Sequence, residues 1–191
     1  FAGEDVYFPE YDFKNSKSIK NKKLYQYKFN SIVIFEGIHV LNPRLLKSLG
    51  TSNYFRLYVS PMESFKNDKY TLTTKNLRLL RRIVRDMQFR NCPPQDTIEM
   101  WQSVRNGEFK WIYPNQEGAN FVFNSELTYE LAVFKKYALP ALSQIPQADP
   151  SYITANRLIK YLKYFKDITD ESSIPCNSLI REFIGGSCFK V

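Results

Sequence analysis

Ile32-Val33-Ile34-Phe35 is an unbroken apolar run, β-branched or aromatic at every position, and it stops at Glu36-Gly37. No polar residue alternates through it, so it predicts a strand buried on both faces, the usual state of a central parallel strand. That demand points to the α/β class, with a mostly parallel sheet and helices on both faces. Glu36 would then emerge at the carboxyl end of the strand, the edge at which open α/β sheets bind ligands. Gly37 lets the backbone turn sharply or approach a ligand closely. The plainer alternative is a core strand ending in a solvated acid.

The segments around this run fit the same class. Before it, Val6–Phe8 and the alternating Leu24-Tyr-Gln-Tyr-Lys-Phe29 predict a β-hairpin over residues 6–29, with Lys14, Lys17, Lys20, Lys22 and Lys23 forming a long basic tip. After it, Val40–Leu46 predicts a short helix with Pro43 in its first turn, and Tyr54–Val59 a second strand. Strand, short helix and strand in that order suggest a βαβ unit. A helix capped by Asp96 is expected to run to about Arg105, with a turn at Asn106-Gly107. Phe121–Asn124 predicts a short buried strand, and a helix from Ser125 should end at Pro140. Tyr152–Phe165 predicts an amphipathic helix with Ile153, Leu158, Ile159 and Leu162 inward. Ser178–Ile184 predicts a terminal strand.

The strongest periodicity lies in Leu77–Met87. Leu79, Leu80, Ile83, Val84 and Met87 occupy one side of a helical wheel, with Thr74 or Asn76 as the expected cap. Arg78, Arg81, Arg82 and Arg85 fall on the other side within an arc of roughly 100°. Four guanidiniums on one face repel one another unless they are solvated or given an anion, and the planar guanidinium fork suits bidentate phosphate contacts. A solvated basic face is the competing reading.

Charge supports an anionic partner: 27 Lys and Arg against 19 Asp and Glu leave the 191 residues with a net charge of +8. Nucleotides, nucleic acid and acidic membranes all meet that description. Phe109, Trp111 and Tyr113 beside Lys110 could stack nucleobases, although burial against a helix is the commoner role. Cys92, Cys176 and Cys188 show neither paired nor metal-type spacing, which suggests free thiols in a reducing compartment such as the cytoplasm. No run of about 18 apolar residues suggests a membrane span.

Five motifs then occur in collinear order: Pro9-Glu10-Tyr11-Asp12-Phe13; Phe35-Glu36-Gly37-Ile38-His39 with Asn42-Pro43; Arg78–Asp86; Trp101-Gln102-Ser103-Val104-Arg105; and Arg181–Ser187. Together they resemble the uridine kinase and phosphoribulokinase family of P-loop kinases, most closely its bacterial-type uridine kinase-like group. The resemblance implies an ATP-dependent kinase that acts on a nucleoside, uridine-like, or a related sugar-containing acceptor. It implies a P-loop NTPase fold, here incomplete, with residues 6–29 as a substrate-side hairpin, and it leaves room for a homo-oligomer. By that resemblance Glu36 helps hold Mg²⁺, Tyr11 and Phe13 lie beside the nucleoside base, and Asp12 belongs to the same motif. Arg82 reaches sugar hydroxyls, while Arg81, Arg85 and Arg90 bind ATP phosphates, with Arg85 and Arg90 as lid arginines that steady charge during transfer. Two positions depart from the pattern. Ser16 stands where uridine kinases place a histidine, and Cys92 stands where a further lid arginine is expected, so base specificity stays open.

The glycines, at positions 3, 37, 50, 107, 118, 185 and 186, never form the phosphate-cradling G-x-x-x-x-G-K-[ST] spacing. The expectation is therefore the C-terminal part of a longer kinase, with the phosphate loop and the aspartate base upstream. The alternatives are a kinase-like binding or assembly module and, from another class, a nucleic-acid-binding module.

Overall fold

The computed structural model describes residues 4–12, 17–47, 53–62, 65–66 and 71–189. The chain divides into two compact units, one ending at Gly37 and one starting at Ile38, and each is built by its own logic. Among the described residues no helix is long and apolar enough to cross a membrane.

The first unit is the expected hairpin. Strand β1 (Val6–Asp12) pairs antiparallel with β2 (Lys17–Tyr25), from Val6 opposite Tyr25 to Asp12 opposite Lys17. The register shifts between Phe8 and Glu10, at Pro9, which has no N–H to give the ladder. Phe8 and Tyr25 meet edge to face at 5.9 Å, and Gln26 Nε2 donates to Asp5 Oδ1 at 2.8 Å. The expected basic tip is corrected: Lys17, Lys20 and Lys23 lie on β2 itself. Phe13 and Ser16 lie outside the described residues.

The central-strand expectation for Ile32–Phe35 is also corrected. The run has no strand structure, and Ile32 is 92% and Ile34 85% exposed. A strand buried on both faces exists only where neighbours complete its hydrogen bonds and cover its faces. None of the described sheets includes this run.

In the second unit, Asn42 caps α1 (Pro43–Leu46) by accepting a hydrogen bond from the Arg44 N–H at 3.0 Å, and Pro43 occupies the first turn as expected. Strand β3 (Leu57–Ser60) pairs in parallel with β6 (Phe121–Asn124), Leu57 opposite Phe121. Between them come the short antiparallel pair β4 (Phe65–Lys66) and β5 (Thr71–Leu72) and three helices. These helices are α2 (Thr74–Phe89), α3 (Pro94–Trp111) and α4 (Tyr113–Gln116), which supply the crossover a parallel pair requires. Three more follow: α5 (Glu130–Leu142), α6 (Tyr152–Leu162) and α7 (Arg181–Ile184). The result is a mixed α/β architecture with a small parallel sheet. Every residue of β6 is exposed, against the expected buried strand, and the core lies among the helices.

That core follows from α2. Leu77, Leu80, Ile83 and Val84 are each at most 2% exposed and pack with Phe134, Leu158 and Leu162 from α5 and α6. Complete burial of such side chains stabilises by roughly 1.5–3 kcal/mol apiece. The helix starts after Thr73, which makes no side-chain cap bond, rather than at a capping Thr74 or Asn76. On α6, Leu158 and Leu162 are buried as expected, while Ile153 is 79% exposed.

Other boundaries move for identifiable reasons. Helix α5 continues through Pro140 to Leu142 because Ala138 and Leu142 are buried and the Ser143 N–H still reaches the Leu139 carbonyl. Residues 181–184 form a helical turn rather than a strand, since Ile180, Phe183 and Ile184 all face the core, a helical spacing. Asn106-Gly107 lies inside α3, whose first turn carries Asp96 but whose cap is Pro93. A Cβ on Gly107 would meet nothing within 4 Å. Gly107→Ala is therefore expected to stabilise the protein by roughly 0.5–1 kcal/mol, seen as a higher denaturant midpoint. A lower midpoint would mean that α3 needs a glycine for a reason its packing does not reveal.

Candidate active site

The C-terminal half of α2 is amphipathic, so Asp86 is drawn close to the core, where it is 2% exposed. A buried carboxylate must be paired, and Asp86 gathers three arginines. Arg90 Nη1 donates to Oδ1 at 3.1 Å, and Arg85 Nη2 reaches the same oxygen at 3.3 Å. Arg82 Nε stands 3.2 Å from Oδ2, close enough to pair by charge but misaligned for a hydrogen bond. Thr97 Oγ1, on α3, donates to Oδ2 at 3.5 Å. The pairs Arg82–Asp86 and Asp86–Arg90 are each four residues apart, one helical turn.

Arg90 lies at the C-cap of α2, where its N–H and that of Cys92 both reach the Asp86 carbonyl. Asn91 turns the chain with φ 49°, a conformation asparagine tolerates better than most residues. Asp86 sets one carboxylate against three guanidiniums. Burial, and then repulsion from Arg90, pushes the Arg85 guanidinium below its usual range against the pull of Asp86. The side chains of Arg82, Arg85 and Arg90 remain 26%, 27% and 42% exposed. All three keep part of their surface open to solvent.

Arg81 corrects the expectation of a shared anion-facing side. It is 8% exposed, and its Nε and Nη2 bind the two carboxylate oxygens of Glu130 at 2.7 and 3.0 Å. Ser125 accepts from it through Oγ at 3.1 Å and through its carbonyl at 2.6 Å, and the guanidinium stacks over Phe183 at 5.5 Å. Four bonds occupy a fork with five N–H groups, which commits Arg81 to joining α2, α5 and α7. Arg78 likewise turns away, pairing with Glu108.

Glu108, 2% exposed, also receives Arg105 and the Tyr113 hydroxyl. Arg105 is covered by Phe109 and Tyr113, whose centroids lie 4.7 and 5.4 Å from its guanidinium. Two of the aromatics read as base-stacking candidates are thus used in shielding an ion pair.

The remaining candidates are not brought to the arginine cluster within one unit. Tyr11 and Asp12 lie on β1, paired with Ser18 and Lys17. Glu36 is exposed, in the unit that ends at Gly37. Among the described residues no group of three or more His, Cys, Asp or Glu could hold a metal ion. Cys92, at the position of the missing arginine, places Sγ 3.6 Å from Thr97 Oγ1 and brings no charge. The signal for Asp86 and Glu108 in the sequence is an arginine three or four residues away from each.

The model of the phosphoribulokinase / uridine kinase family matches residues 2–132. The chain belongs to that family. It is a kinase-family chain, of the phosphotransferase and nucleotide-binding class, and its members act on small molecules. The matched residues include the hairpin, Glu36 and the whole Asp86 cluster, whereas α6 and α7 lie beyond them. No solved structure matches the chain.

Proposed function

We propose that the complete protein transfers the γ-phosphate of ATP to a hydroxyl of a nucleoside, uridine-like, or a related sugar-containing acceptor. The observation that carries this reading is the gathering of Arg82, Arg85 and Arg90 on the single carboxylate of Asp86. Phosphoryl transfer asks little covalent chemistry of a protein and depends on positioning and on stabilising charge spread over phosphate oxygens. Guanidiniums fixed before the anion arrives need little reorganisation when that charge develops.

In this reading Arg85 and Arg90 hold ATP phosphates and Arg82 reaches the acceptor sugar. The β1 residues Tyr11 and Asp12, with Phe13, belong to the acceptor side. Arg81 serves as scaffold, holding α2 on α5. Glu36 supplies one carboxylate to Mg²⁺, which would neutralise phosphate charge when bound. The fold is then of P-loop NTPase type and works in the cytoplasm, and the resemblance puts the phosphate loop and the base upstream of these residues.

The test is an assay of the complete protein with Mg-ATP and a panel of nucleosides and sugars. ADP should form only when an acceptor is present. Hydrolysis indifferent to every acceptor, or no turnover with any of them, would sink the proposal.

A further inference from the structure

Cys176 and Cys188 are both exposed free thiols, twelve residues apart in sequence. The structure nevertheless sets them side by side. The Cys188 N–H donates to the Cys176 carbonyl at 3.0 Å, and the neighbouring Cys176 thiol holds the Cys188 thiol above its usual range. A disulfide asks for Cα atoms about 4.4–6.8 Å apart, and a direct backbone hydrogen bond puts the two residues at about that separation.

Their approach is built in. Gly185 and Gly186 turn the chain back after α7 with φ of 92° and 76°, values that side chains other than glycine rarely adopt. Arg181 Nη2 ties the same loop together by donating to the Glu171 and Ile174 carbonyls, each at 2.8 Å. Between the cysteines, Ile180, Phe183 and Ile184 bury themselves in the core.

We propose that Cys176 and Cys188 form a reversible dithiol–disulfide pair, a modification site whose closed form clips α7 in place on the core. The oxidant is a small disulfide such as oxidised glutathione. One cysteine thiolate attacks a glutathione sulfur, giving a mixed disulfide and releasing one glutathione thiolate. The second cysteine thiolate then attacks the protein sulfur and expels the other glutathione. Two cysteine thiols are oxidised to one disulfide, one glutathione disulfide is reduced to two thiols, and the cysteine protons pass to the departing thiolates. Because the backbone already sets the two cysteines side by side, the second step is intramolecular and outruns capture of another glutathione.

The sequence supplies a clear readout. Tryptic cleavage after Lys166, Arg181 and Lys190 puts Cys176 and Cys188 on different fragments, 167–181 and 182–190. After incubation with oxidised glutathione and alkylation, unreduced digests should contain these fragments joined, two hydrogens lighter than their sum, with Cys92 outside the link. Cys176→Ser and Cys188→Ser should each abolish the joined species. The oxidised protein should melt higher than the reduced one, by on the order of 5 °C. Separate glutathione adducts on the two cysteines, or a link through Cys92, would overturn the pair. A joined species with an unraised melting temperature would overturn the clip.

Discussion

Glu130→Ala is expected to destabilise the protein by about 3–5 kcal/mol, the cost of breaking a buried ion pair by removing one partner. Glu130 is 1% exposed and accepts both arms of the Arg81 guanidinium. Without it Arg81 keeps only Ser125 as an acceptor, and arginine cannot shed its proton to escape the low-dielectric surroundings. Glu130 also accepts the Leu127 N–H at 3.2 Å in the first turn of α5, where a carboxylate is favoured by the helix dipole. Urea unfolding followed by circular dichroism measures the loss. Replacing both partners with apolar residues, Arg81→Met with Glu130→Leu, should recover much of it, because no unpaired charge then remains. A Glu130→Ala protein as stable as the parent would show that the pair does not hold α2 to α5.

Arg85→Ala is expected to act in the opposite way, lowering turnover of the complete kinase on the order of 10²–10³-fold while changing stability by less than about 1 kcal/mol. Its guanidinium pairs with Asp86, and Arg82 and Arg90 still pair with that carboxylate when it is gone. If Arg85 meets phosphate mainly as charge develops in transfer, kcat and kcat/KM should fall together. A change confined to KM would make it a binding residue only. Unaltered kinetics would remove it from the site.

Glu130→Ala acts through Arg81, four residues from Arg85 on the charged side of one wheel, and yet the two substitutions differ in kind. The wheel places Arg81 beside Arg78, Arg82 and Arg85, and no local pattern separates them. What separates them is Glu130, 49 residues further along. The Asp86 cluster was more legible. Arg82, Asp86 and Arg90 follow one another at single-turn spacing, so the acid could have been read as their common acceptor.

The terminal segment shows the same limit from another side. Ile180, Phe183 and Ile184 have helical spacing, but the neighbouring Leu179 and the glycines made the stretch resemble a strand. Burial of those three side chains against α2 and α5 settled it. Asn106-Gly107 is turn chemistry in isolation. Within α3 it is overruled because the flanking Trp101 and Glu108 are buried on one helical face.

The sequence by itself determined α2 and its buried stripe, the β1–β2 hairpin and the Asn42-Pro43 start of α1. In each case the pattern itself is local: a helical period, a strand alternation, or a proline behind a capping asparagine. The tertiary structure was needed to show which arginines stay part-exposed, that Cys188 lies beside Cys176, and that Ile32–Phe35 has no strand structure. A strand, an ion pair and a thiol pair are all completed by partners distant in the chain, and a local apolar run or charge pattern does not specify them.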